Sequence, residues 1–230
     1  MNQHFTYFFI LAAALAAPLA FSFDKKVTFY KKWKYIFPAI LFPAIFYIFW
    51  DIYFTAKGVW SFNENYITGI KLFNLPIEEV LFFFAVPYCC LFIYECIRFY
   101  FPNLKRRKIA DTILKTIAII LLIAGIIFYK KLYTSATFLL TEIFIACIYL
   151  FKKWFKDFDA ALFLVSYIII LLPFFVVNGL LTAIPVVLYD NTQNLGLRAG
   201  TIPIEDIFYG MLLILMNISI YEKLKNRNAI

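Results

Sequence analysis

The chain has 230 residues, of which 64% are hydrophobic, 21% are aromatic and only 16% are charged. A soluble globular domain has about a quarter of its residues charged, so this composition excludes an ordinary water-soluble protein and indicates an integral membrane protein. The net charge of +8 therefore reports topology and contact with anionic membrane lipid, and we expect no nucleic-acid partner.

Seven apolar stretches follow one another along the chain, each close to the ~20 residues that a helix needs to cross a bilayer. They cover residues 5–23, 34–54, 76–98, 112–130, 132–151, 160–182 and 203–222. The first ends in small residues typical of a signal-peptide cleavage region, but no positively charged segment precedes it. We interpret it as a membrane helix and predict an all-α integral membrane protein with seven spanning helices.

Lys and Arg are distributed unevenly between the segments that connect the predicted helices. If the seven helices alternate in direction, 17 of the 22 basic residues lie on the side that carries the C-terminus. Cytoplasmic loops of membrane proteins carry an excess of Lys and Arg. The sequence therefore predicts a multi-pass protein of the cell membrane with its N-terminus outside and its C-terminus in the cytoplasm.

Residue types that metal and cofactor sites commonly use are scarce in this chain. His4 is the only histidine, the four cysteines lie inside predicted helices, and the seven glycines form no dinucleotide or phosphate motif. The cysteines also lack the spacing of metal ligands. We expect neither a metal nor a cofactor.

A shift of 127 residues aligns the second part of the chain with the first. Ten identities occur between residues 51–98 and 178–225. They cluster where Pro-Ile-Glu is followed by a second acid, in "LPIEEVLFF" from Leu75 and in "IPIEDIFYG" from Ile202. The same shift pairs the first predicted helix with the fifth and the second with the sixth, so each repeat is three helices long.

One further helix lies between the two repeats and restores their starting orientation. We therefore predict two parallel repeats, residues 1–105 and 131–230, joined by a connector helix at 106–130 and related by a rough two-fold axis along the membrane normal. Both acidic motifs then lie on the outer side of the membrane.

The acids Glu78, Glu79, Glu205 and Asp206 open the third and seventh predicted helices. Acids in the first turn of a helix oppose the positive end of its dipole, and either motif alone would be read as a helix start. An unpaired charge at the bilayer centre, however, costs ~2.5 to 3.5 kcal/mol, and acids within membrane segments are commonly functional. Two matched occurrences favour a functional site.

A two-fold arrangement predicts that the side chains of Glu78 and Glu205 point toward each other and that those of Glu79 and Asp206 form a second layer. Burial without a partner favours the protonated form of a carboxyl group, whereas a neighbouring cation favours the ionised form of a second carboxyl group. A proton donor and a proton acceptor can thus coexist in one site.

Four residues of the loops before the two motifs are expected to support the acids. Lys71 and Arg198, each five residues before the proline, are expected partners for one acid of each pair, and Asn63 and its repeat counterpart Asp190 are expected supporting residues. The chain also has 29 Phe, 16 Tyr and 4 Trp, whose π faces suit a cation in a dry cavity.

These motifs, with Tyr-Glu near the end of each motif-bearing helix and the segments "GVWSFNENYITG" and "GLRAGTIPIED", resemble the integral-membrane lycopene cyclases. The chain resembles the fused single-chain form of a two-subunit family. The resemblance implies closure of the ends of lycopene to β-ionone rings, an isomerisation that needs no cofactor. It implies a lipophilic carotenoid substrate in contact with membrane lipid, with other enzymes of the carotenoid pathway as candidate partners.

By resemblance, the catalytic acids are Glu78, Glu79, Glu205 and Asp206. One protonates a terminal double bond, a neighbouring double bond closes the ring, and a carboxylate removes a proton. Which acid is the donor stays open, and Glu78→Gln or Glu205→Gln is expected to abolish or severely reduce turnover. The alternatives are a related carotenoid hydratase, which adds water to the same double bond, and an acid-lined ion or proton transporter.

Overall fold

The structure, a computed structural model, describes residues 3–104 and 108–227 and contains, within them, seven helices long and apolar enough to span a membrane. They are α1 Thr6–Phe21, α2 Trp33–Ala56, α3 Ile77–Tyr100, α4 Lys108–Ile127, α5 Leu132–Leu150, α6 Ala160–Ala183 and α7 Ile204–Arg227. The predicted all-α membrane architecture is confirmed. The expected repeat boundary after residue 105, with the basic residues Lys105, Arg106 and Arg107, lies outside the described residues.

Helix α4 differs from its predicted bounds at both ends. It begins at Lys108, four residues before the predicted start at 112, and it ends at Ile127. The first turn carries Asp111, and such polar residues continue a helix beyond the apolar stretch that hydropathy detects.

Six short strands, which the sequence did not predict, form three antiparallel pairs between the helices. They are β1 Trp60–Phe62, β2 Lys71–Leu72, β3 Leu75–Pro76, β4 Val187–Tyr189, β5 Arg198–Ala199 and β6 Ile202–Pro203. β2 pairs with β3, β5 pairs with β6, and β1 pairs with β4. Strands of two or three residues are too short to show the alternation that identifies a strand in a sequence.

The element bounds repeat at the shift that the sequence indicates. The first and last residues differ by 127 positions between α2 and α6 and between α3 and α7. The same shift relates β1 to β4, β2 to β5 and β3 to β6. In the β1–β4 pair, Ser61 lies opposite Leu188, which is its own counterpart at that shift. Equivalent strands that pair about equivalent residues are related by a local two-fold axis.

The two acidic motifs begin their helices in the same way. Pro76 and Pro203 directly precede α3 and α7, as predicted. The first N–H of α3 donates to the Ile70 carbonyl at 2.9 Å, and the first N–H of α7 donates to the Leu197 carbonyl at 3.1 Å. Each hairpin therefore satisfies one of the free N–H groups at a helix start and holds the following acids in place.

At the opposite end of the bundle, α3 and α7 are joined by a buried ion cluster. Glu95 and Glu222 are 1% and 3% exposed. Lys32 and Lys225 both hydrogen-bond to Glu95, the latter at 3.0 Å, while Arg98 bonds to Glu222 and lies 3.5 Å from Glu95. Because two buried carboxylates share these cations, the cluster ties the two repeats together.

Removal of the guanidinium from this cluster is expected to destabilise the fold. Arg98→Gln should lower the free energy of unfolding by about 3 kcal/mol, since it leaves a buried carboxylate without its cation. Lys26→Gln, at an exposed position, is the control and should change stability little. Denaturant or thermal unfolding in detergent measures both, and an unchanged midpoint for Arg98→Gln would contradict a stabilising cluster.

Candidate active site

A cavity between α1, α3, α6 and α7 lies beneath the β1–β4 pair. The empty space between its lining atoms is about 1080 Å³, including the part open to the surroundings. Its polar lining residues are Tyr7, Asp51, Glu79, Tyr133, Asn178, Thr182, Tyr189, Asp206 and Tyr209. The rest of its lining is largely aliphatic and aromatic, so three carboxyl groups share a chamber whose other polar groups are mainly tyrosine hydroxyls.

Glu79 and Asp51 form a carboxyl pair on one side of the cavity. Tyr7 Oη donates to Glu79 Oε2 at 2.5 Å, and Tyr209 Oη donates to Asp51 Oδ1. The two carboxyl groups lie within hydrogen-bonding reach of each other, although Glu79 is only 8% and Asp51 only 2% exposed. Two adjacent buried carboxylates repel each other, which favours one proton shared between the two acids.

Asp51 was missed as a site residue by reasoning from the motifs. It is the only acid in α2, and its repeat counterpart is Asn178, which also lines the cavity. The general rule that acids within membrane helices are functional could have identified it. The motif-based prediction overlooked it because the second repeat carries no acid at this position.

Asp206 accepts hydrogen bonds from two tyrosines on the other side of the cavity. Tyr133 Oη donates to Asp206 Oδ1 at 2.5 Å and Tyr189 Oη donates to Oδ2 at 2.8 Å. Burial, together with the nearby Asp206 carboxyl, raises the pKa of the Tyr189 hydroxyl well above its usual range, so this hydroxyl remains a donor. Each carboxyl oxygen thus has a tyrosine hydroxyl within hydrogen-bonding distance, an arrangement that suits a carboxylate that only accepts.

Glu78 and Glu205 are fully buried, but they do not line the cavity. Glu78 Oε1 accepts from the Thr68 N–H at 2.7 Å, and Glu205 Oε1 accepts from the Leu195 N–H at 2.8 Å and from Thr134 Oγ1 at 2.6 Å. Each acid therefore binds the loop that precedes its own helix. The expectation that these two acids face each other is wrong, because the loop N–H groups lie closer and need an acceptor.

The expected ion pairs between the loop cations and the acidic motifs are also wrong. Lys71 Nζ pairs with Glu64 Oε1 at 2.5 Å, and both side chains are exposed. Arg198 donates to Asn191 Oδ1 and to the Thr201 carbonyl, each at 2.7 Å. Both cations lie on the short hairpins at the surface, where water solvates them, and burial beside the acids would remove that solvation.

The other two predicted support residues shape turns. Asn63 Oδ1 accepts from the Asn65 N–H at 3.1 Å, and Asp190 accepts from the N–H and hydroxyl of Thr192 at 2.8 and 2.7 Å. The hydrogen bonds from Thr192 hold the pKa of the exposed Asp190 below its usual value. Neither residue lines the cavity, so the structure does not bring them to the acids.

Aromatic rings surround the three cavity acids. Trp60 lies at the centre of the group, with ring centroids 5.2 Å from Tyr133 and 6.1 Å from both Tyr189 and Tyr209. Tyr133 and Tyr189 are stacked at 6.0 Å. Ring faces attract cations most strongly where water is excluded, so this wall can stabilise positive charge that develops beside the acids.

The family model described as lycopene cyclase matches residues 4–97 and 130–224 of this chain. A segment of 60 residues is 39% identical to the lycopene beta-cyclase of Halobacterium salinarum and covers 23% of this chain and 25% of that protein. A segment of 63 residues is 35% identical to the bifunctional lycopene cyclase/phytoene synthase of Phycomyces blakesleeanus, covering 27% of this chain and 10% of that protein. The matches thus span about a quarter or less of these relatives. No solved structure matches the chain significantly.

Proposed function

Because the chain belongs to the lycopene cyclase family, we propose that it closes the acyclic ends of lycopene to β-ionone rings without net redox change. The observation that carries this proposal is the meeting of Asp51, Glu79 and Asp206 in one apolar, aromatic-lined cavity. Cyclisation through a carbocation requires a proton donor, a proton acceptor and a dry site, and the buried acids and aromatic lining of the cavity support this proposal.

The Glu79–Asp51 pair is the proposed proton donor. Each carboxyl has one oxygen engaged by a tyrosine hydroxyl, which leaves the remaining oxygens to share one proton. Transfer of that proton to the terminal double bond of lycopene leaves a tertiary carbocation. The negative charge that remains on the pair is stabilised by the hydroxyls of Tyr7 and Tyr209.

Asp206 is the proposed base. The cation is attacked by the neighbouring double bond, a new carbon–carbon bond closes the six-membered ring, and a proton leaves the adjacent carbon to form the ring double bond. The Asp206 carboxylate, fixed by Tyr133 and Tyr189, attracts the positive charge and accepts that proton. One proton enters and one leaves, so the product is an isomer of the substrate.

Glu78 and Glu205 act as positioning residues in this proposal. Their bonds to Thr68 and Leu195 fix the loops over the cavity and the first turns that carry Glu79 and Asp206. This role differs from the direct one that the family resemblance implies for them, and the two roles give different results on substitution.

Glu78→Gln keeps the carbonyl oxygen that accepts from Thr68, so we expect turnover to fall by less than about ten-fold, as for a single neutral hydrogen bond. Glu78→Ala removes the acceptor and should lower turnover further, together with thermal stability. Pigment analysis and unfolding in detergent measure both. A loss in Glu78→Gln as large as in Glu79→Gln would favour direct participation of Glu78 in the chemistry.

We also propose that the acidic motifs lie at the outer membrane face, with the N-terminus outside and the C-terminus in the cytoplasm. The excess of Lys and Arg on the opposite side supports this orientation. We retain the repeat division at 1–105, 106–130 and 131–230 as part of the proposal. A reporter fused to the C-terminus that is active only in the cytoplasm tests the orientation.

Expression in a lycopene-accumulating host, followed by pigment analysis, tests the proposed activity. We expect cyclic carotenoids, and synthesis in D₂O should add one deuterium per ring, because the proton donor exchanges with solvent. Unchanged lycopene in cells that contain the inserted protein would contradict the proposal. A hydroxylated acyclic product would instead indicate addition of water.

A further inference from the structure

The cavity continues from the acids as a groove between α3 and α6. On α3 it is lined at Glu79, Phe82, Val86, Cys90 and Ile93, which recur every three or four residues along one face. At ~1.5 Å per residue these positions span about 21 Å, roughly two thirds of a ~30 Å hydrocarbon core. The groove can therefore hold an extended apolar chain whose end group lies against the acids.

At the shift of 127, α2 is the counterpart of α6 and α7 is the counterpart of α3. The position equivalent to the groove therefore lies between α2 and α7. The groove residues Phe174, Val177, Leu181 and Gly210 correspond, at the shift of 127, to Tyr47, Trp50, Phe54 and Phe83. At these four positions the first repeat carries an aromatic side chain that is larger or more polar than its counterpart in the groove.

These four residues form what we call the aromatic plug: Tyr47, Trp50, Phe54 and Phe83. All are at most 7% exposed. The Tyr47 ring lies 5.5 Å from Phe83 and 5.4 Å from Trp50, and Trp50 lies 5.6 Å from Phe54. The position related to the groove is therefore filled by packed rings.

Gly210 is the largest single difference between the two sides. Its counterpart Phe83 is fully buried against Tyr47, whereas Gly210 lines the cavity and leaves open the space that a ring would occupy. A Cβ atom at Gly210 would meet the ring of Phe174, the counterpart of Tyr47, at 3.5 Å. A phenylalanine there would thus be directed into the groove and would rebuild the plug on this side.

We propose that the chain has a single substrate half-site, the groove between α3 and α6, which takes one end of an acyclic isoprenoid polyene at a time. The aromatic plug keeps the second end out of the two-fold-related position, although the fold is built from two repeats. This inference rests on the proposed cyclase function. After the first ring closes, the molecule must leave the groove and re-enter with its other end, so the monocyclic carotenoid is released.

An exchange experiment with the wild-type protein in liposomes tests the single half-site. Labelled lycopene is supplied with an excess of unlabelled monocyclic carotenoid, and the label in each product is followed over time. Label that accumulates in the monocyclic product, with a bicyclic product that is absent or strongly diluted, supports the proposal. Labelled bicyclic product that forms without a lag and without dilution would overturn it.

Substitution at the groove provides an independent measurement. Gly210→Phe should lower the formation of cyclic product by about 100-fold, because displacement of the reacting end by a fraction of a ring width removes its alignment with the acids. The matched control is Leu172→Phe on α6, at a side chain that is 69% exposed and does not line the cavity; it should retain activity. Size-exclusion chromatography shows whether each variant is folded.

The two levels of the proposal fail in different ways. If the wild-type protein forms no cyclic product, the proposed function fails, and the half-site proposal that rests on it fails with it. If the wild-type protein is active and a folded Gly210→Phe variant matches it, the cyclase function stands and the half-site is refuted.

Discussion

Glu79→Gln is expected to lower the rate of lycopene cyclisation by at least about 100-fold, as for loss of a general acid. The amide still accepts from Tyr7 but cannot share or deliver a proton to the double bond. Glu64→Gln is the matched control, because Glu64 is exposed and pairs with Lys71 at the surface; its turnover should stay near the wild-type value. Quantified pigments from cells with equal amounts of inserted protein measure both.

The proposed sharing of a proton between Glu79 and Asp51 also predicts an effect of substitution at Asp51. Asp51→Asn should also reduce turnover, although Asp51 lies on another helix and belongs to no acidic motif, because the pair then lacks its shared proton. Wild-type turnover in a folded Glu79→Gln variant would refute the pair as the proton donor. It would then leave a helix-capping role for Glu79.

Asp206→Asn is expected to reduce turnover by about 100- to 1,000-fold, the range found when a group that stabilises transition-state charge is removed. Asparagine has nearly the same shape and can still accept from Tyr133 and Tyr189, but it carries no negative charge and cannot take up the final proton. Asp157→Asn, in the loop between α5 and α6 and away from the cavity, is the control and should keep its activity.

Substitution of Tyr133, which donates to Asp206, tests the role of the Asp206 carboxylate further. Tyr133→Phe removes one donor to the carboxylate and should lower turnover less than Asp206→Asn does, because the charge itself remains. If Tyr133→Phe were inactive while Asp206→Asn stayed active, Asp206 could not be the base, and the tyrosine hydroxyl would be the group that reacts.

Much of the architecture follows from local properties of the sequence. The seven helices could be predicted because a span needs a continuous apolar segment, whatever its neighbours are. The repeat could be predicted because the motifs recur at a constant shift, and Pro76 and Pro203 begin helices through their own backbone geometry. The short hairpins could not be predicted, since their pairing depends on contacts between loops and not on any periodic pattern.

The candidate site was predicted only in part, for a physical reason that the neighbouring acids illustrate. Glu78 and Glu79 differ by ~100° in direction around α3; one binds the Thr68 N–H and the other lines the cavity. The motif treats them alike, because it records residue type and not direction. Lys71 likewise looked like a partner for an acid, but its hairpin keeps it at the surface beside Glu64.

The sequence by itself determined the membrane class of this protein, its seven helices, its internal repeat and the position of its acidic motifs. These features depend on composition and on neighbours close in the chain. Only the tertiary structure decided that Asp51 joins Glu79, that Asp206 receives two tyrosine hydroxyls, and that one side of the two-fold is open at Gly210 while the other is filled by Phe83. Those features depend on which side chains meet across helices. The packing of the helices determines these contacts, and an alignment of the two repeats does not.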